Sequence, residues 1–341
     1  MSQFRVLVVG CGNMSQKWIE YALSRQDCEI VGLVDLRLEN ARRTRSRHNL
    51  DCQVHSSLDS AIAETSPNLV FDVTVPESHR DVVITALRSG CNVFGEKPMA
   101  TNMEQAREML ATSKQTGKTY AVMQNRRYLK NIRAFRNIVD SDIIGHPSFL
   151  TADFFLAPHF GGFRESMDSP LMLDMAIHTF DQARFVIGSD PISVYCHEFN
   201  PHGSWYKGDA AAVCTFEFDN GVVFSYRGCW CAQGYPTSWE SSWRLVGSRG
   251  TAIWDGERLP TAEVVIPTDK KQFLMNYEQV EVPATWEGSE GHFGCLDAMF
   301  AALIAGTPPE TDCTDNIKSM AMLFGALESS RSKQVVDLLN L

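Results

Sequence analysis

The stretch VLVVGCGNMS, Val6 to Ser15, passes from an apolar strand-like run through a glycine loop into a helix start. Strand, Gly10-x-Gly12 and helix in that order are the setting in which such a spacing points to a dinucleotide. Gly10 permits the tight turn, Gly12 lets the backbone approach a pyrophosphate, and the helix N-terminus favours its negative charge. The third position of the fingerprint is Ser15 rather than glycine, so strand and helix are expected to pack slightly further apart. Asn13 and Met14 share the loop and complete its expected cofactor-binding set. Asp35 ends the next apolar run, EIVGLVD, where a carboxylate can accept hydrogen bonds from ribose hydroxyls. It favours NAD, because a carboxylate repels a 2′-phosphate. Arg37, Arg42 and Arg43 follow closely and keep NADP open, although a solvated helix face accounts for them as well.

Outward from this loop, residues 4 to about 125 alternate strand-like runs (FRVLVV, EIVGLVD, LVFDVTV, NVFGE, TYAVMQ) with helical segments around 15–25, 37–48, 78–89 and 102–116. That alternation predicts a parallel sheet built from βαβ units. Thr101 and Glu104 read as a capping box, and Gly117 as the glycine that ends the helix. After residue 126 the runs lengthen (PSFLTADFFL, ISVYCHEF, AAAVCTFEFDNGVVFSYRGCWC, SWRLVGSRGTAIW), and Asp219-Asn220-Gly221 marks a hairpin. Two helical segments near 290–305 and 314–331 close the chain. The expectation is an α/β Rossmann dinucleotide-binding domain over 1–125. An α+β domain on a mostly antiparallel open sheet would follow over 126–341, with the last helix free to pack back on the first domain.

The chain has 341 residues, long enough for two cores, and a formal net charge of -10. That charge argues against nucleic-acid and anionic-membrane partners and leaves a small solute as the ligand. The apolar run before Gly10 is too short for a signal-peptide core or a membrane span, and no other stretch approaches that length. The ten cysteines are scattered, with Cys229 and Cys231 as a single close C-x-C pair. They read as reduced, mostly buried thiols of a cytoplasmic protein, and no zinc site is expected.

A second set of chemistry-bearing residues lies in NVFGEKPMA, holding Glu96, Lys97 and Pro98, and in DMAIHTFD, Asp174 to Asp181. A lysine at the carboxyl end of a parallel strand stands in the crevice where open α/β sheets bind ligands. Asp174, His178 and Asp181, at i, i+4 and i+7, would share one helix face and admit three readings: metal ligands, a proton relay, or polar residues of a solvated helix. Zinc enzymes usually need three protein ligands and an open position. No cysteine or second histidine is near in sequence, so no metal is expected.

With its glycine loop, Pro76 and His79 in the fourth-strand turn, the E-K-P triplet, the D-x-x-x-H helix and the late turn RLVGSRGT, the chain resembles the Gfo/Idh/MocA family. That family comprises NAD(P)-dependent sugar and polyol oxidoreductases. The resemblance implies that Lys97 contacts the reacting hydroxyl, that the Lys97-Pro98 peptide is cis, and that Pro76, His79, Glu96 and Lys97 itself line the cofactor. The family pattern G-G-G-x-L-x-D-x-G-x-H is met at Asp174 and His178 but departs at Asp168-Ser169-Pro170 and Ala176, which makes the loop stiffer and more polar. A histidine near its ordinary pKa suits proton removal during alcohol oxidation, with Lys97 stabilising the alkoxide and Asp174 orienting substrate or imidazole. Lysine as base with histidine assisting remains the alternative. Asp181 is expected to be structural, bonding outward to the sheet.

Arg164, in the loop APHFGGFRESMDSP, is a candidate donor to hydroxyls or a carboxylate, or else a surface partner of Glu165. His159 and Trp230 are further substrate candidates, with a core role for the tryptophan as the other reading. Arg126 and Arg127 are expected at the domain junction. Family members often assemble through the open sheet face, which implies a homodimer or homotetramer. Two other functions stay open: a cofactor-retaining enzyme that cleaves glycosides or exchanges hydride between sugars, and a non-catalytic nucleotide-binding sensor.

Overall fold

Six short parallel strands, β1 (Phe4–Val9), β2 (Cys28–Val34), β3 (Gln53–His55), β4 (Leu69–Asp72), β5 (Asn92–Gly95) and β6 (Tyr120–Val122), form a sheet of order β3-β2-β1-β4-β5-β6. This is the doubly wound order, and its direction reverses between β1 and β4, which opens a crevice beyond their carboxyl ends. The computed structural model describes residues 3–341. Every residue of β4, and Val6, Leu7 and Val8 of β1, is buried, as strands covered on both faces require. The connecting helices are α1 (Ser15–Ser24), α2 (Leu38–Arg47), α3 (Leu58–Thr65), α4 (Pro76–Arg88) and α5 (Met103–Thr116). The pair β3 and α3 was not anticipated; a three-residue strand and an eight-residue helix are too short for periodicity to stand out.

The start of α5 differs from its expected capping box. Asn102, not Thr101, is the N-cap, accepting from the Gln105 amide at 2.9 Å, while the Gln105 side chain reaches back to the Thr101 hydroxyl at 2.8 Å. Gly117 does end the helix in the left-handed conformation, at φ 64°.

The chain packs as two units, one of residues up to Asn125 with Ser289–Met320, the other of Arg126–Gly288 with Ala321–Leu341. Helix α6 (Lys130–Asp140) and α7 (Ile177–Ile187) belong to the second unit, and α8 (Gly291–Ala305) to the first; the division falls within α9 (Cys313–Ser332). Aromatic packing explains the placement of α8, since Phe300 meets Phe4 at 4.9 Å and Phe94 at 5.3 Å between ring centroids.

The second unit is built on a nine-stranded sheet of β7 (Pro147–Phe155), β8 (Pro191–Phe199), β9 (Ala211–Phe218), β10 (Val223–Cys229), β11 (Ser242–Gly247), β12 (Gly250–Trp254), β13 (Thr261–Val265), β14 (Tyr277–Val280) and β15 (Val336–Asp337). The order is β14-β13-β12-β11-β7-β10-β9-β8-β15, antiparallel except for β7 against β10. The Asp219-Asn220-Gly221 turn joins β9 to β10, with Gly221 at φ 82°. Along β9, Cys214, Phe216 and Phe218 are buried while Val213, Thr215 and Glu217 are exposed, so one face is covered and the other open. Among the described residues no helix is long and apolar enough to cross a membrane.

Candidate active site

In the first unit, Gly10 has φ 89°, and a Cβ there would strike the Val73 carbonyl, so glycine is required where β1 and β4 end side by side. Gly12 is open, with no atom within 4 Å of where its Cβ would stand, and Asn13 and Met14 beside it are exposed. The first turn of α1 carries no acidic side chain to compete with a bound anion. Ser15 is buried, and its hydroxyl donates to the Gly12 carbonyl at 2.7 Å.

The Asp35 carboxylate accepts from the Cys11 amide at 3.0 Å, the Arg37 amide at 2.8 Å and the Asn40 side chain at 3.2 Å. A carboxylate has about four acceptor positions, so one remains for a ribose hydroxyl. Burial, with Asp35 adding to it, pushes the Cys11 thiol up to about 12, so the cysteine between the glycines is inert. An open glycine loop ahead of a helix N-terminus, with a fixed carboxylate beyond it, fits a dinucleotide.

Lys97 follows β5 by two residues, is half-buried, and forms a cis peptide with Pro98. Glu96 beside it is 8 % exposed; one oxygen accepts from the Trp18 indole at 2.8 Å and the other from the Lys97 amide at 3.3 Å. Burial raises the Glu96 pKa against the pull of Trp18 and Lys97. His292, at the start of α8, comes within 3.9 Å of Glu96; burial, then the charges of Lys17 and Lys97, lower its pKa to about 4, so it is neutral at pH 7. His79 is buried, its Nδ1 2.8 Å from Asp72, whose other oxygen accepts from the Thr74 hydroxyl at 2.6 Å. Burial alone would lower the His79 pKa, but the charge and hydrogen bond of Asp72 outweigh it and the net shift is upward. Pro76 occupies the first position of α4, where its missing N–H costs nothing.

In the second unit, Asp174 lies not in a regular α-helix but in a π-helical turn, Leu171–Ala176, that runs into α7. Such widened turns are frequent at functional sites. His178 is 7 % exposed in the first turn of α7. The Asp174 carboxylate, 17 % exposed, is held by Arg164 Nε at 2.5 Å; the arginine thus pairs with Asp174 rather than with Glu165. Asp181 is buried and takes two 2.6 Å bonds from Arg127, which sits in a 3-10 turn over Asn125–Tyr128, so the structural role expected of it includes a buried ion pair with that turn. Arg126 donates to the Trp239 carbonyl at 2.5 Å and lies 3.5 Å from Glu240. His159 stacks on Trp205 at 3.8 Å, whereas Trp230 is fully buried, parallel to Tyr206 at 5.7 Å.

Residues 4–124 match the oxidoreductase family with an NAD-binding Rossmann fold (GFO_IDH_MocA), and residues 132–253 match the GFO/IDH/MocA C-terminal domain. The chain belongs to the GFO/IDH/MocA oxidoreductase family. It is 28% identical to D-glucoside 3-dehydrogenase of Escherichia coli, over 65% of this chain and 69% of that one. It is 24% identical to myo-inositol 2-dehydrogenase of Thermotoga maritima, over 98% of both. An oxidoreductase from Agrobacterium radiobacter, solved with NAD+, L-tartaric acid and magnesium, shares the fold at a TM-score of 0.85 and 19% identity, covering 99% of each chain.

Against the GFO/IDH/MocA pattern, the segment that replaces the glycine run is pinned from several sides. The Asp168 carbonyl accepts from the Asp209 amide at 2.8 Å and presses so close to Gly208 that no side chain fits there. Glu198 of β8, 7 % exposed, has a buried Oε1 without a partner; burial, opposed by Ser169, raises its pKa to about 7. Sequence reasoning missed Trp18, His292, Glu198 and Glu240. Each acts across 58 or more residues of chain or from a strand interior, and no local spacing announces it.

Proposed function

We propose that this NAD-binding GFO/IDH/MocA protein transfers a hydride between a hydroxyl-bearing carbon of a sugar, inositol or related polyol and the nicotinamide of NAD. The observation that carries the reading is the fixed Glu96-Lys97-Pro98 corner at the end of β5, in the same unit as a dinucleotide-shaped glycine loop. The names of the relatives, which act on a D-glucoside and on myo-inositol, support the substrate class.

Nicotinamide C4, when NAD is bound, supplies the hydride acceptor. Lys97 donates a charge-assisted hydrogen bond to the substrate oxygen as it becomes an alkoxide. His178 removes the hydroxyl proton as general base and returns it in the reverse direction. Asp174 orients substrate hydroxyls, and Arg164, already at its carboxylate, steadies it until substrate arrives. Burial of the histidine excludes water from the proton it handles. The same reading has the chain working as a homodimer or homotetramer through the open face of the nine-stranded sheet, where Tyr195, Phe199 and Val213 are exposed. Light scattering that gives a monomer mass would reject that assembly. The activity itself is tested by screening sugars, inositols and polyols with NAD and NADP and following reduced cofactor; no reduction with any of them sinks the reading.

A further inference from the structure

We infer that the substrate is a neutral glycoside, whose second ring or aryl group stacks on an exposed aromatic face formed by Phe160, Phe163 and Trp239. The inference rests on the hydride-transfer reading above and goes beyond it in naming what is attached to the oxidised ring.

Phe160 and Phe163 are 52 % and 68 % exposed on either side of Gly161 and Gly162, both in the left-handed region at φ 66° and 70°. Trp239, 44 % exposed, faces Phe160 with ring centroids 6.2 Å apart. These rings are not loose: buried Trp230 backs Phe160 at 5.9 Å, and Phe154 backs Trp239 at 6.5 Å. A clustered aromatic surface in contact with water, held on a buried aromatic layer, is what a ligand with an apolar face would cover.

Its position narrows the ligand. One guanidinium, that of Arg164, pairs with Asp174 and also lies 5.1 Å over Phe160 and 4.8 Å over Phe163. The aromatic face therefore begins one side chain away from the carboxylate assigned to the reacting sugar. A glycosidically linked pyranose or phenyl group would cover those rings with its C–H or π face more fully than a lone monosaccharide or inositol at Asp174. A neutral second group suits the face better than an anionic one, because the guanidinium lying over its rings is already paired with Asp174.

The test compares matched pairs with NAD, glucose against phenyl β-glucoside and cellobiose, and galactose and xylose against their phenyl glycosides. The expected result is a kcat/KM about tenfold or more higher for the glycosides. In a Phe160→Ala/Trp239→Ala variant the ratio of glycoside to free sugar should fall to near one. Equal kcat/KM for both members of each pair, or a ratio unchanged in the variant, overturns the inference while leaving hydride transfer intact. If no sugar is oxidised, the hydride-transfer reading fails instead. Calorimetric titration with phenyl β-glucoside and NAD then still tests the aromatic face: saturable binding lost in the double variant upholds it, and no binding overturns it. Dissociation of an oligomer in the double variant would assign the face to a second copy of the chain and also overturn it.

Discussion

Glu96 in the first unit and Asp174 in the second both flank proposed catalytic groups, yet they are built differently. Glu96 is 8 % exposed and bound by an indole and a backbone amide, donors that do not move away. Asp174 pairs with Arg164, whose side chain is 33 % exposed and rises from a turn that opens at two left-handed glycines, Gly161 and Gly162. A carboxyl held by buried, rigid donors keeps one geometry, while one held by a half-exposed arginine can exchange that partner for substrate hydroxyls. On the proposed assignment of roles, the cofactor side is thus set before anything binds, and the substrate side is left adaptable.

Breaking the rigid half should have the largest effect. Lys97→Met is expected to lower turnover by roughly 10³-fold, the scale of losing one transition-state donor, with NAD affinity by equilibrium titration changed little. Undiminished turnover would remove Lys97 from the reaction. Next, Asp181→Asn leaves Arg127 buried beside a neutral amide, and chemical denaturation should report a loss of about 3–5 kcal/mol. A loss below ~1 kcal/mol would mean the buried pair is not what secures α7.

Glu198 sharpens the comparison through pH. Its folded pKa of about 7 exceeds its ordinary 4.5, so its stabilising contribution is complete below pH 4.5 and is lost as pH rises to 7. Glu198→Gln should therefore be more stable than the wild type by about 3 kcal/mol at pH 8 and equal to it near pH 4. Equal melting temperatures at both pH values would show that the glutamate is not protonated in the fold. The smallest change is expected for Asp35→Ser, which should weaken NAD about tenfold and shift preference toward NADP, measured by competitive titration.

Much of the first unit was legible because its signals are local. The glycine loop, Asp35 at the end of β2 and Gly117 after α5 each state a backbone need within a few residues. The capping box was misplaced by one residue because Thr101 and Asn102 are both good caps, and the structure uses the asparagine side chain. The D-x-x-x-H spacing singles out Asp174 and His178 as candidates but suggests a regular helix, since a π-turn changes the winding without a sequence mark. The partners of Asp174 and Asp181 were hidden for another reason. Arg164 and Arg127 come from separate turns, and only tertiary folding selects them from among neighbouring charges. The placement of α8 with the first unit likewise depends on Phe300 meeting Phe4 and Phe94 across the chain.

The central claim is that a hydride leaves a sugar or polyol carbon for the cofactor. It is tested most directly by incubating the protein with NAD and substrates deuterated at the carbinol carbon, then reading nicotinamide C4 by NMR. The account predicts deuterium at C4 for at least one sugar or inositol, and its loss in Lys97→Met. Reduced cofactor without deuterium, or none across the whole panel, would contradict it.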